Sequence, residues 1–351
     1  MVLDRLAQTL DDYPCLVDHH HFDRGDYEGG MPRWCTGCGD RAILNAVQKM
    51  LTEDQMPPEK VVCVSGIGCS SRFPYYMMTY GIHGIHGRAL PLSTGVSLAR
   101  ADLKVLTVMG DGDCFSIGAG HWLHALRYNP DLTVLVFDNE VYALTKRQAS
   151  PTTTVGTHTH TTPHGAVLAP LNPLAVVMSM PQASFVAQTA SWLPGHLGAT
   201  IEAGWRHRGL SFIRILQHCP VFSPDAFASS KPAVPRDPEA SPDSGDRSPS
   251  LLFLEHEDGI QVGPNLERIV ALHGERRAHD PRDRTTAVDI AAFGRSVADP
   301  TLRLDPMGLL YRNPETPCYN DLIEGAVSPR STDEKIRALE AELDKFTLAT
   351  E

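Results

Sequence analysis

The chain has 351 residues, a net charge of −11 and eight cysteines. This length allows a sizeable buried core, either as one large α/β domain or as one domain with an appendage. The acidic balance argues against nucleic acid as a partner, no apolar run approaches the roughly 18 residues of a membrane span, and the acidic start does not resemble a signal peptide. We therefore expect a cytoplasmic protein whose cysteines are thiols or metal ligands.

The first distinctive motif follows an acidic N-terminal segment over 1–30 and contains Cys35 and Cys38 in the sequence WCTGCGD. Such a CxxC pair is compatible with thioredoxin-type redox chemistry, zinc binding and iron–sulfur ligation. The pair follows a loop rather than a strand, which disfavours the thioredoxin interpretation. A helix with one apolar face is predicted directly after it, from Arg41 to Leu51.

Two further cysteines follow predicted strands. Cys69 comes after the strand Val61–Ser65, and Cys219 comes after the strand Ser211–Leu216. Both would reach the carboxyl edge of a parallel sheet, where ligands bind in this fold class. Together with the CxxC pair they predict a four-thiolate site, for which the ligand count alone leaves structural zinc and a [4Fe-4S] cluster open.

A Gly-rich loop lies between these strands, over Tyr80–Ala89. Its His86 is a candidate for charge-assisted hydrogen bonds to a diphosphate, and the alternative is that it only supports the loop. The downstream histidines His158, His160 and His164 lie in a Pro/Thr-rich loop, and solvated or hydrogen-bonded side chains are favoured there over metal ligands.

The central unit is a predicted βαβ arrangement. Its strands are Leu103–Met109 and Leu132–Phe137, and its helix over Ser116–Tyr128 has four apolar residues at helical spacing: Ile117, Trp122, Leu123 and Leu126. The first strand ends in a Gly-Asp-Gly turn with Asp111, and the second ends before Asn139. Because parallel strands deliver their carboxyl ends to one edge, these oxygen ligands should converge on Mg²⁺ that is completed by phosphate and water. The alternative is that the glycine turn only joins strand and helix.

The last third of the chain changes composition. Residues 223–250 are rich in Pro, Ser and Asp and predict a linker or surface insertion, whereas 251–351 regain apolar segments and end in a predicted amphipathic helix over Ser331–Phe346. We expect four units with the boundaries 1–30, 31–222, 223–250 and 251–351.

Taken together, the motifs WCTGCGD, GIGCSSR, HGIHGRALPLSTG, GDGDCFSIGAGH, DNEVYALTK and SFIRILQHCPVF resemble the β subunit of 2-oxoacid:ferredoxin oxidoreductases over about residues 30–225. The resemblance implies an α/β thiamine diphosphate-binding fold, with a mostly parallel central sheet flanked by helices and followed by a C-terminal extension. It also implies thiamine diphosphate, Mg²⁺ and one [4Fe-4S] cluster as cofactors, which selects iron–sulfur over zinc.

The resemblance also implies roles for individual residues. The metal ligands are Asp111, Asn139 and the carbonyl of Val141 for Mg²⁺. The cluster ligands are Cys35, Cys38, Cys69 and Cys219. The further cofactor-binding residues are Ser70, Ser71, His86, Gly110, Gly112, Asp113, Tyr142, Leu144 and Thr145, in addition to Cys69 and the magnesium ligands.

The implied reaction is the CoA-dependent oxidative decarboxylation of a 2-oxoacid, with electrons passed one at a time through the cluster to ferredoxin. We prefer 2-oxoglutarate, which gives succinyl-CoA and CO₂; pyruvate or a branched-chain 2-oxoacid is the alternative substrate. A non-redox thiamine lyase and a non-catalytic partner subunit are alternative functions. Thiamine is usually activated by a glutamate on a pyrimidine-binding domain, so we expect a partner α subunit to supply it, in a heterodimer or a dimer of heterodimers.

Lys146 and Arg72 are the candidate substrate-binding cations, since each follows a cofactor-binding segment and suits a carboxylate. Where family members usually read IYGLTKGQ, this chain reads VYALTKRQ, so Ala143 and Arg147 replace two glycines. A position that needs a positive φ angle would resist both replacements.

Overall fold

The computed structural model describes residues 21–228, 250–261, 274–292 and 304–326, with a few isolated positions elsewhere. The strands of the central sheet are β1 (Val61–Ser65), β2 (Tyr80–His83), β3 (Lys104–Gly110), β4 (Leu132–Asp138), β7 (Phe185–Ala190), β8 (Leu210–Leu216), β9 (Leu251–Glu255), β10 (Gly274–Ala278) and β11 (Asp305–Arg312), and a small hairpin contains β5 (Val141–Tyr142) and β6 (Gln148–Ala149). The predicted strands before residue 223 are all present, within one or two residues at their ends.

The helices alternate with these strands along the chain. They are α1 (Asp40–Glu53), α2 (Ala89–Ala99), α3 (Ala119–Tyr128), α4 (Pro173–Ser179), α5 (Pro194–Trp205), α6 (Arg284–Ala292) and α7 (Tyr319–Ala326). Within the described residues, no helix combines the length and apolar character needed to cross a membrane.

The nine-stranded sheet has the order β10-β9-β11-β7-β8-β4-β3-β1-β2. Strands β1 to β4, β7 and β8 are parallel to one another, and β9, β10 and β11 form a second parallel group. The two groups meet at β7 and β11, which pair antiparallel. The expectation of a mostly parallel sheet flanked by helices is therefore confirmed.

The register of the central strands brings their carboxyl ends to one edge. Gly110 at the end of β3 is level with Phe137 of β4, and Asp138 is level with Leu216 at the end of β8. The loops that follow β1, β3, β4 and β8 therefore lie side by side, which is the edge where parallel α/β sheets bind ligands.

Buried side chains cover both faces of the sheet. Along β4, Val134 and Val136 pack with Trp122 on one face, whereas Leu135 and Phe137 pack on the other. This alternation follows from the two-residue period of a strand. On the second face α1 buries the predicted apolar residues Ile43, Leu44, Val47 and Leu51.

The predicted helix over Ser116–Tyr128 differs from the observed structure at its start. Asp113–Ile117 forms a π-helical turn, and α3 begins only at Ala119. Gly118 joins the two because a Cβ atom there would lie 2.6 Å from the Asp113 carbonyl oxygen. The wider turn rotates the predicted apolar face, so that Ile117 is 48% exposed while Trp122 and Leu126 are buried.

The segment after 250 joins the same sheet as the central strands. Leu252, Leu254 and Leu310 belong to the same buried cluster as Val134 and Phe212. At the other end of the chain, Tyr27 is fully buried and donates its hydroxyl proton to carbonyls of Leu51 or Met56, at 3.0 and 2.7 Å. Most of the predicted linker and most of the predicted helix over 331–346 lie outside the described residues.

Candidate functional site

A cleft with about 500 Å³ of empty space opens at the carboxyl edge of the central strands. Nearly all of the predicted cofactor-binding side chains line it. Its lining residues are Asp40, Ile67, Gly68, Cys69, Ser70, His86, Gly110, Asp111, Gly112, Asp113, Phe137, Asn139, Val141, Tyr142, Ala143, Leu144 and Thr145. We call this feature the central cleft.

Asp111 is a buried carboxylate in the wall of the central cleft, with 3% of its surface exposed. Burial, followed by the neighbouring charge of Asp138, raises the pKa of Asp111 to about 7. The Thr152 hydroxyl lies 2.9 Å from Asp111 Oδ2 and 2.8 Å from Asp138 Oδ1. The single hydroxyl proton of Thr152 is thus shared between the two carboxylates. A cation beside Asp111 would offset the free-energy cost of burying the Asp111 carboxylate.

Asp138 is held by a buried ion pair that the sequence analysis did not identify. Arg214 in the middle of β8 donates to Asp138 Oδ2 through Nε at 2.8 Å and through an η nitrogen at 2.5 Å. Its other η nitrogen donates to Gln188 Oε1 at 3.0 Å. An arginine inside the apolar run SFIRIL was the available signal, because a guanidinium in a buried strand needs a buried acceptor.

Asp113 joins two loops beneath the central cleft. Its Oδ1 accepts hydrogen bonds from the backbone N–H groups of Gly87, at 2.7 Å, and Ile67, at 3.3 Å, and lies 2.6 Å from His86 Nδ1. A Cβ atom on Gly66 would lie 2.0 Å from Asp113 Oδ2, so only glycine fits beside this carboxylate. Burial raises the pKa of Asp113, while the Gly87 N–H and His86 oppose that shift.

The segment after β4 forms the opposite wall of the cleft. Asn139 Oδ1 accepts a hydrogen bond from the Val141 N–H at 3.2 Å, and the Tyr142 hydroxyl donates to the Gly112 carbonyl at 3.1 Å. Gly112 permits this approach, because a Cβ atom there would lie 2.2 Å from the Tyr142 ring. Asn139, Val141 and Asp111 therefore line one cleft, as the predicted magnesium site requires.

The β5–β6 hairpin ends in a strained turn. Lys146 has a φ angle of +72° and Arg147 one of +78°, although neither is glycine. The turn is closed by hydrogen bonds from the Lys146 N–H to the Ala143 carbonyl and from the Arg147 N–H to the Tyr142 carbonyl, each at 3.0 Å. Of the two residues that replace family glycines, Arg147 has a positive φ angle and Ala143 does not.

Cys69 lies within electrostatic range of Cys35, Cys38 and Cys219, and we call these four residues the four-cysteine group. All four are free thiols. The loops that contain them are tied together: the Gly39 N–H donates to the His218 carbonyl at 3.1 Å, and Trp34 Nε1 donates to the Cys69 carbonyl at 2.7 Å. Cys69 belongs both to this group and to the wall of the central cleft.

Burial opposes ionisation of these thiols. It raises the pKa of Cys38 far above its usual value and that of Cys69 to about 12, and the Asp40 carboxylate adds to both shifts. Asp40 itself is 1% exposed, and burial raises its pKa to about 7. The sequence analysis assigned no role to Asp40, whose position directly after the CxxC motif at the start of α1 was the available signal.

Apart from Cys35, Cys38 and Cys219, three predicted site residues lie outside the wall of the central cleft. Ser71 is fully buried behind it, where its carbonyl accepts a hydrogen bond from the Ser65 hydroxyl at 2.7 Å. Both serines lie in a 3₁₀ turn, Ser70–Tyr76. Arg72 donates through Nε to the Tyr76 hydroxyl at 3.1 Å, and Lys146 is exposed on the strained turn.

Within the part of the chain that the structure describes, no three His, Cys, Asp or Glu side chains are arranged to hold a metal ion.

Comparison with known families identifies the domain that contains this site. Residues 59–215 match the family described as thiamine pyrophosphate enzyme, C-terminal TPP binding domain. The match includes β1, β3, β4 and β8, whose carboxyl ends surround the central cleft.

Curated relatives cover the same region. The chain is 48% identical over 195 residues to the 2-oxoglutarate oxidoreductase subunit KorB of Mycobacterium tuberculosis, which covers 56% of this chain and 52% of that protein. It is 43% identical over 192 residues to the 2-oxoacid:ferredoxin oxidoreductase subunit beta of Saccharolobus solfataricus, covering 54% of this chain and 63% of that one. It is 36% identical over 200 residues to the 2-oxoglutarate synthase subunit KorB of Methanocaldococcus jannaschii, covering 57% of this chain and 74% of that protein. The chain thus spans only about half to two thirds of the length of the first two relatives.

A solved structure matches over a longer range. It is a 2-oxoglutarate:ferredoxin oxidoreductase from Magnetococcus marinus with 2-oxoglutarate, coenzyme A and succinyl-CoA bound. The two chains are 30% identical, with a TM-score of 0.71 over 91% of this chain and 96% of that one.

Proposed function

Because this chain belongs to the family of 2-oxoacid:ferredoxin oxidoreductase β subunits, we propose that it is the thiamine diphosphate-binding subunit of an enzyme that oxidatively decarboxylates a 2-oxoacid. The proposed reaction converts 2-oxoglutarate and CoA to succinyl-CoA and CO₂, and transfers two electrons to ferredoxin. The observation that supports it most directly is the position of Cys69, which lies in both the central cleft and the four-cysteine group.

Asp111, Asn139 and the Val141 carbonyl would hold Mg²⁺, and the remaining cleft residues would surround the diphosphate. The fit is supported by Asp111, a desolvated carboxylate whose raised pKa a divalent cation would lower again. When bound there, thiamine diphosphate supplies the electron sink for the loss of CO₂. The chain's own contribution is to position the metal ligands on the ends of rigid strands and to exclude water from Asp111.

The four-cysteine group would hold a [4Fe-4S] cluster. An iron–sulfur cluster is favoured over zinc because relatives of this chain are named 2-oxoacid:ferredoxin oxidoreductases, and zinc has no redox chemistry. Ligand thiols must lose their protons when they bind a metal. The N-terminus of α1, which follows Cys38 directly, and the Arg72 charge near Cys69 both favour thiolate and support this assignment.

The preferred substrate is 2-oxoglutarate, supported by the names of the relatives from M. tuberculosis and M. jannaschii. Lys146 and Arg72 are the proposed substrate cations, since both flank the central cleft and neither has an acidic ion-pair partner in the described part of the chain. Lys146→Met should raise KM for 2-oxoglutarate more than it lowers kcat, measured by acceptor reduction in the assembled enzyme. Lys49→Met, at an exposed position on α1, is the matched control.

The proposed partners are an α subunit that supplies the activating glutamate, and ferredoxin as electron acceptor, in the cytoplasm where thiols stay reduced. An α-subunit contact is supported by apolar side chains around the edge strand β2: Tyr75 is 60% exposed, Met78 59% and Tyr80 57%. Large exposed apolar groups that cluster in this way are typical of protein interfaces.

The central test is the metal content of anaerobically purified protein. Wild type should contain iron and acid-labile sulfide and should show broad visible absorbance. Alanine at any member of the four-cysteine group should remove the cluster, whereas Cys63→Ala and Cys318→Ala, at buried cysteines outside the group, should retain it. Colourless protein that contains only zinc would contradict the proposal.

A second experiment separates redox from non-redox thiamine chemistry. The reconstituted complex is supplied with a panel of 2-oxoacids, and both CO₂ release and reduction of ferredoxin or viologen are measured. Strict dependence of CO₂ release on an electron acceptor is expected. Decarboxylation without an acceptor would identify a lyase, and stoichiometric thiamine binding without turnover would identify a non-catalytic subunit.

A further inference from the structure

Gln217 places a buried amide against one sulfur of the four-cysteine group. The residue follows the last position of β8 and is 1% exposed. Its Nε2 donates to Cys38 Sγ at 3.2 Å and to the His218 carbonyl at 2.8 Å. Its backbone N–H donates to the Asp138 carbonyl at 2.8 Å, which continues the pairing of β8 with β4. The amide therefore sits on a rigid strand end.

The rest of the environment of the Cys38 sulfur disfavours negative charge on balance. Burial acts most strongly against a thiolate there and the buried Asp40 carboxylate acts in the same direction, whereas a hydrogen bond from the Asp40 backbone favours the thiolate. A hydrogen-bond donor that faces a sulfur favours whichever state places more negative charge on that atom. The reduced form of an iron–sulfur cluster has one more negative charge than the oxidised form, and hydrogen bonds to the sulfur atoms are one determinant of the reduction potential.

We propose that Gln217 is a positioning residue whose N–H···S hydrogen bond to Cys38 raises the reduction potential of the cluster. The inference rests on the proposed function, because it requires the four-cysteine group to hold that cluster. The donor stabilises the reduced cluster more than the oxidised one, so it makes the cluster a better electron acceptor. No additional oxidant or reductant is involved, since the same electron enters the cluster with or without the bond.

A purely structural role predicts something different. Gln217 also ties the CxxC loop to the end of β8, in parallel with the hydrogen bond from the Gly39 N–H to the His218 carbonyl. If anchoring were its only role, loss of the amide would lower stability and leave the potential unchanged. The reduction potential and the Fe–S(Cys) vibrations report the sulfur directly, and they separate the two roles.

The test uses the full-length chain, reconstituted anaerobically with iron and sulfide, as wild type and as Gln217→Met. Methionine has a similar length and no donor. The matched control is Gln48→Met, because Gln48 is also buried and donates through Nε2 to two carbonyls, those of Tyr27 and Tyr76, at 3.3 and 3.2 Å, but to no sulfur. Iron and sulfide content, the midpoint potential from a redox titration followed by EPR, and resonance Raman spectra are measured on each sample.

We expect Gln217→Met to shift the midpoint potential to a more negative value and one Fe–S(Cys) stretch to higher frequency, while Gln48→Met shifts neither. If Gln217→Met retains no iron, the same measurements are made on Gln217→Asn, whose shorter amide cannot reach Cys38. Full cluster content with an unchanged potential in the Gln217 variant would overturn the inference alone. A wild-type chain that assembles no cluster would overturn the proposed function, and the inference with it.

Discussion

At the scale of single residues, Arg147 is a charged side chain in a backbone conformation that favours glycine. Its φ angle of +78° lies in the left-handed region, which costs a non-glycine residue about 1–2 kcal/mol. Such strain persists where the surrounding structure imposes it, and it is concentrated at functional sites. Here the strained residue closes the turn whose preceding residues line the central cleft.

Replacement of Arg147 by glycine should therefore stabilise the fold relative to alanine. At an ordinary position glycine is less stable than alanine by roughly 0.5–1 kcal/mol, and at Arg147 we expect the reverse by about 1 kcal/mol. Urea unfolding of Arg147→Gly and Arg147→Ala measures the difference. A less stable glycine variant would show that the left-handed conformation is not populated in solution.

Thr152 is a second residue whose effect can be isolated. Thr152→Val keeps the shape of the side chain but removes the proton that serves Asp111 and Asp138, so we expect a loss of about 1–3 kcal/mol in the free energy of unfolding. Thr200→Val is the control, because the Thr200 hydroxyl donates to the His196 carbonyl of its own helix at 2.7 Å. Equal losses in the two variants would exclude a special role for the shared proton.

At the scale of elements, α5 is packed against the sheet by two buried neutral histidines. His196 near its start contacts the Thr189 hydroxyl at 2.8 Å, and His207 just beyond its end contacts the Ser184 hydroxyl at 2.9 Å. Burial lowers the pKa of both imidazoles to about 4. The unfolded chain therefore binds protons at these positions at a higher pH than the folded chain does.

These histidines should destabilise the fold as the solution is acidified. Above the unfolded pKa near 6.5 both states are neutral, so the loss begins there and is complete near pH 4; each histidine contributes up to about 3 kcal/mol. Unfolding of wild type and His207→Gln is compared between pH 7 and pH 4. The difference between their free energies of unfolding should diminish with acidification, and a constant difference would contradict the prediction.

Sequence patterns specify the central elements better than their connections. Apolar strands and the βαβ unit imply a common carboxyl edge, so the convergence of Asp111, Asn139 and Cys69 was predictable. The π turn before α3 was not, because it depends on the close approach of the Gly118 and Asp113 backbones. The buried pair of Arg214 and Asp138 joins residues far apart in sequence, and no local pattern identifies the partner.

At the scale of the whole molecule, the described strands after residue 250, β9, β10 and β11, continue the central sheet. β11 pairs with β7 and lies between it and β9. Nothing in the sequence of β11 indicates that this strand pairs antiparallel with β7, so its position in the sheet could not be predicted. Its burial implies that the two ends of the sheet unfold together.

Leu310→Ala tests this directly. Leu310 is fully buried in β11, and its truncation should lower the free energy of unfolding by about 2–5 kcal/mol. All four tryptophans precede residue 223, and two of them, Trp34 and Trp205, belong to a buried cluster that does not include Leu310, so their fluorescence reports the central strands. We expect the fluorescence transition to shift with Leu310→Ala and to remain coincident with circular dichroism. Leu322→Ala, at a 55% exposed position, should have little effect, and an unshifted fluorescence transition in Leu310→Ala would indicate independent units.

The four-cysteine group has a consequence for the order of assembly. Its members come from a loop before α1, from the loop after β1 and from the end of β8, so almost the entire central sheet must form before the thiols become neighbours. Contacts between such distant parts of a chain form late in folding. For the proposed [4Fe-4S] cluster we therefore expect iron to enter a folded apoprotein, so that protein produced under iron limitation can be matured afterwards, without denaturation.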